Sequence, residues 1–177
     1  MLQRISRNGS NSGRSQVSPI DSVTLSEGKA GQSARVPAST GQKLFMRVPV
    51  GPTTHDPAGP AEFVASGTMA DDFCLDEDAA VAYITTHREN TIDRVPLAPG
   101  GSGTRQIVAG DPFDDQLAGP SSAAWGRRPG DYGRIAYVTS DGGLVAPPPD
   151  GIVRHPKLLR AELPPPAEIA DFACCRR

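Results

Sequence analysis

Apolar and polar positions alternate in short bursts along this chain, and nowhere do they hold a sustained helical period. Such bursts cover residues 44–50, 61–65, 72–76, 81–86, 91–97 and 105–109, and resume at 121–125, 134–139 and 157–163. Turn-forming groups separate them: Gly51 with Pro52, Gly59 with Pro60, Asp76 to Asp78, and Pro99 to Gly101. Glycine supplies positive φ, proline fixes φ, and aspartate hydrogen-bonds to its own backbone. Short strands about ten residues apart predict an all-β meander.

An internal repeat organises these strands. Leu44-Phe45-Met46-Arg47-Val48-Pro49-Val50 returns as Thr91-Ile92-Asp93-Arg94-Val95-Pro96-Leu97, and more faintly as Lys157-Leu158-Leu159-Arg160-Ala161-Glu162-Leu163. Val81-Ala82-Tyr83-Ile84-Thr85-Thr86 returns as Ile135-Ala136-Tyr137-Val138-Thr139-Ser140. The offsets, 47 residues from Arg47 to Arg94 and 54 from Tyr83 to Tyr137, suit a four-stranded propeller blade of roughly 40–50 residues. The fold predicted is a partial β-propeller of about two and a half blades over residues 43–163, with a disordered tail at 1–42 and a second tail at 164–177.

Composition sharpens the boundary at Lys43. Gly and Pro make up 37 of 177 residues, which rules out long helices. Residues 1–42 are rich in Ser, Gly and Arg, and apart from a short run at 20–25 they show no strand period. A net charge of −2 gives no field to gather nucleic acid or anionic lipid, and no apolar run approaches a membrane span. The N-terminus lacks the apolar stretch of an export signal, so a soluble cytoplasmic protein is expected. Three cysteines, Cys74, Cys174 and Cys175, make no disulfide framework, and Cys74 reads as a small core residue.

Some stretches also resemble a known family. The run Met69-Ala70-Asp71-Asp72-Phe73-Cys74-Leu75-Asp76, followed by Ala82-Tyr83-Ile84-Thr85-Thr86-His87-Arg88-Glu89-Asn90-Thr91-Ile92-Asp93-Arg94-Val95, is similar to a blade of the senescence marker protein/gluconolactonase-like six-bladed propellers, especially their fungal branch. Residues 117–127 and 136–144 resemble the next blade. The resemblance implies a divalent metal (Ca, Zn or Mn) on the propeller axis, held by carboxylate and amide oxygens and polarising a lactone carbonyl. It also implies earlier blades that this chain lacks, and Ala70 stands where the family's turn has Pro. Six blades would need roughly 240–300 residues, so the chain is short for that fold.

The candidate site follows from the resemblance. Asp71 matches the axis-facing turn aspartate, the expected metal ligand, and Asp72 beside it could orient water; the alternative is a pair of solvated turn carboxylates. His87 ends a strand at the level of the polar top-face groups, as a base or as an ordinary surface histidine. Thr86, Ser122, Ser140 and Asp141 are the expected substrate-binding groups, although Ser140-Asp141-Gly142-Gly143 is also an ordinary turn sequence.

Three functions fit these residues. One is a lactone hydrolase or related biosynthetic-cluster enzyme acting on a small molecule. Another is a metal-free hetero-Diels-Alderase of fungal secondary metabolism, whose pocket holds two reactants in near-attack geometry. The third is a truncated, non-catalytic interaction module that self-associates through open blade edges.

Overall fold

The computed structural model describes residues 22–27, 33–97, 104–113 and 115–165, with backbone alone for the first of these segments and for Ser33. Eleven strands occur among them and no helix: β1 (Ser22–Glu27), β2 (Ser33–Ser39), β3 (Leu44–Val50), β4 (Glu62–Ser66), β5 (Ala70–Asp76), β6 (Val81–Thr86), β7 (Thr91–Pro96), β8 (Gln106–Gly110), β9 (Pro120–Trp125), β10 (Ile135–Ser140) and β11 (Lys157–Glu162). The described residues are all-β, as the alternating bursts predict, and each predicted burst becomes a strand within two residues of its expected ends.

The strands form three antiparallel sheets, each a run of consecutive neighbours: β1-β2-β3-β4, β5-β6-β7-β8, and β9-β10-β11. The fold begins before Lys43, so the tail predicted at 1–42 is corrected in its second half. Ala34, Val36 and Ala38 alternate inward from β2 and are buried, while Arg35 between them is exposed. Small side chains bury little area each, so the contrast that marks a strand is weak there. Residues 1–21 and 166–177 lie outside the described residues.

The sheets stack face to face, with the second in the middle. One of its faces, carrying Phe73, Leu75, Ala82, Ile84 and Val95, packs on Val36, Phe45 and Val64 of the first sheet. The Phe45 and Phe73 rings meet edge to face at 5.0 Å. The opposite face, carrying Cys74, Val81, Tyr83 and Ile92, packs on Ala136, Val138 and Leu163, with Trp125 alongside. Every residue of β6 is therefore buried, which explains its near-continuous apolar run. Cys74 is buried as expected, and burial followed by the nearby Asp72 charge pushes its thiol up to about 12. Polar pins supplement the apolar contacts: Trp125 Nε1 donates to the Leu75 carbonyl at 2.7 Å, and the Glu77 amide donates to the Tyr132 hydroxyl at 2.9 Å.

Candidate functional site

Antiparallel pairing places the ends of β6 and β10 and the starts of β5 and β9 at one end of the second and third sheets. Asp71, Asp72, Thr86, His87, Ser122, Ser140 and Asp141 all lie on these strand ends or on the turns that follow them. The structure joins four of them in two bridges between sheets. Asp72 Oδ2 accepts from the Ser122 hydroxyl at 2.8 Å and from the Ala123 amide at 3.1 Å. His87 Nε2 lies 2.8 Å from Asp141 Oδ2.

Each bridge is fixed on both sides. Asp72 Oδ1 accepts from the Phe73 amide, and the Asp72 backbone exchanges hydrogen bonds with the Thr85 hydroxyl. Asp141 Oδ1 accepts from the Gly143 amide at 2.7 Å and the Leu144 amide at 3.2 Å. Burial pushes the Asp141 carboxyl up, but the His87 hydrogen bond, the Gly143 amide, the His87 charge and the Leu144 amide outweigh it and hold the group below its ordinary value. His87 is 8 % exposed.

Asp141 therefore stabilises the fold when ionised. Its folded value lies below its unfolded one, so this contribution is present above the unfolded value and is lost as pH falls through the folded value. Asp141→Asn is expected to cost about 1.5–3 kcal/mol near neutral pH, the range for hydrogen bonds to charged groups. In urea titrations at stepped pH, the gap between wild type and variant should close in strong acid. A gap of constant size would refute this account.

Thr86 and Ser140 are placed differently from the two bridges. Thr86 is fully buried, its hydroxyl 2.6 Å from the Thr91 hydroxyl, which in turn donates to Asp93 at 2.7 Å. Ser140 is also buried. Thr86 thus serves the turn between β6 and β7, away from solvent. Asp71 is half-buried at the start of β5, within the irregular register between Ala70 and Phe73.

Two residues outside the sequence expectation complete the site. Asn90, at φ 57°, accepts from the Gly119 amide through Oδ1 at 2.9 Å, and donates through Nδ2 to the Pro112 carbonyl at 3.2 Å. Gly119, at φ 63°, runs so close to Asp141 that a Cβ there would sit 1.9 Å from its Oδ1. Its carbonyl accepts the Asp141 amide at 2.9 Å, so the backbone itself positions the carboxylate. An Asn before a strand is a recognisable signal for left-handed backbone, but its reach of 29 residues to Gly119 is not.

The donor set does not assemble a cage for a divalent cation. Among the described residues no three His, Cys, Asp or Glu side chains converge, and the Asp72 and Asp141 oxygens are spent on protein donors. A groove of about 400 Å³ lies at the other end of β10, lined by Gly133, Arg134 and the segment from Glu162 to Pro165, and includes none of the site residues. No protein-family model and no curated protein matches the chain.

Proposed function

We propose that the three sheets are blades of a partial β-propeller of the gluconolactonase-like kind, and that the chain acts on a small cyclic ester without a metal. The observation that carries this is the His87–Asp141 pair between the second and third sheets. Asp141, accepting from Nε2, fixes the imidazole and leaves Nδ1 to take a proton. Nδ1 would remove a proton from water as the water oxygen attacks the ester carbonyl. The same proton then passes to the departing ring oxygen as the C–O bond breaks, which leaves a hydroxy acid.

The test is hydrolysis of a panel of small lactones by the full chain, with and without a chelator. Turnover should resist chelation and fall about 100- to 10,000-fold in His87→Ala, the usual weight of a positioned base. Undiminished turnover in that variant, no turnover on any lactone, or loss on chelation would each overturn the proposal.

A cycloaddition reading has one observation in its favour: both bridging carboxylates are saturated by protein donors, which suits a site that holds reactants without ionising them. It predicts cyclised product from an added diene and heterodienophile, with the rate retained in His87→Ala.

A further inference from the structure

We infer that the two outer faces of the three-sheet stack are complementary halves of one interface, and that each is covered by a second copy of this chain docked head to tail. The inference is independent of the chemistry assigned to His87. It rests on the internal repeat, which holds in cross-strand register as well as in sequence. Tyr83 pairs with Arg94 and Thr85 with Ile92 between β6 and β7. Tyr137 pairs with Arg160 and Thr139 with Leu158 between β10 and β11, the same pattern one sheet further on.

Equivalent positions meet opposite fates. Tyr83 and Ile92 are 1 % and 2 % exposed, because the third sheet covers their face of the second. Tyr137 and Leu158 are 37 % and 70 % exposed on the corresponding face of the third sheet. That face carries the residues of an inter-sheet core, yet none of the described sheets packs on it. The first sheet shows the converse. Arg35 pairs with Val48 as Ala82 pairs with Val95, but the latter two are fully buried while Arg35 is exposed and Val48 half-buried. Met46 and its partner Phe63, which is 44 % exposed, extend this outer apolar face.

The stack therefore ends with two different faces, and the order of packing inside the chain makes them matching ones. Within the chain, the Tyr83 face of one sheet meets the near face of the next. Continuing that order sets the Tyr137 and Leu158 face of one copy on the Met46, Val48 and Phe63 face of another. Such a contact joins unlike surfaces, so it is heterologous and leaves each added copy with one further face to offer.

The test uses sedimentation velocity on the full chain across a dilution series. Wild type should sediment as a multiple of its 18.5 kDa mass. Leu158→Asp and Phe63→Lys should each weaken association at least about tenfold, as loss of an anchoring apolar contact does. Both positions are exposed, and unchanged circular dichroism would show that the fold is kept. An equimolar mixture of the two variants should form a two-chain species, since each retains the face the other has lost. A wild type that stays monomeric throughout would assign these faces to another occupant and overturn the inference. Failure of the mixed variants to associate, or single variants that associate like wild type, would overturn it equally.

Discussion

Tyr83→Ala should lower stability by about 3–5 kcal/mol, the loss typical of a large aromatic removed from a packed core. The ring is 1 % exposed and meets Trp125 edge to face at 5.4 Å, so truncation opens a void between the second and third sheets. Trp125 is itself held by the Leu75 carbonyl and cannot collapse freely into that space. Tyr83→Phe should cost much less, about 0.5–1.5 kcal/mol, because it removes only a hydroxyl whose bond to the Pro164 carbonyl is long, at 3.3 Å. In the wild type, burial raises the Tyr83 phenol, opposed by the Arg94 charge, so the hydroxyl that both variants remove is a neutral one at pH 7. Urea unfolding of both variants checks the contrast. An alanine variant within 1 kcal/mol of wild type, a bound set by the smaller hydroxyl loss, would mean that the sheets do not share this core.

Arg105→Met should cost about 3–5 kcal/mol at neutral pH, the penalty for leaving a buried charge without its partner. Asp93 has a side chain 0 % exposed, paired with Arg105 Nε and accepting from the Thr91 hydroxyl. Arg105 also pairs with Glu89, so the substitution leaves two carboxylates facing each other. Burial already lifts the Asp93 carboxyl above its ordinary value, against the Thr91 hydrogen bond and the Arg105 charge, with Glu89 adding to the rise. A raised folded value means that stability is fullest below the unfolded value and declines as pH rises through the folded one. Removing Arg105 steepens that decline. The cost of the substitution should therefore shrink as pH falls toward 4, near the ordinary carboxylate range. A cost that grows in acid would refute this picture.

The strands were legible in the sequence wherever large apolar side chains alternate with turn residues, as in β3, β6 and β7. The first sheet's second strand was not, because β2 turns only Ala and Val inward and its neighbours are Ser, Arg and Pro. The repeat was legible because Arg47, Arg94 and Arg160 all fall on the third strand of their sheets. Asp72, His87, Ser122 and Asp141 could be named from the sequence, but their pairing could not, since it depends on two sheets facing each other across about 50 residues of chain. Nor could the sequence reveal that donors from neighbouring amides saturate Asp72, or that Thr86 faces Thr91 and Asp93 in the interior. Local strand chemistry shows in one dimension, whereas solvation of a carboxylate is decided in three.

Because every sheet is built from consecutive strands, no hairpin has to wait for a distant segment before it can form. For an all-β chain this keeps the entropy of loop closure low, and each sheet becomes a local folding unit whose stability is completed by docking to its neighbours. The second sheet gains from both sides and the outer two from one. The order of local opening is thereby set from the ends of the stack inward, and the β6 backbone, enclosed on both faces, should be the last to exchange its amide hydrogens.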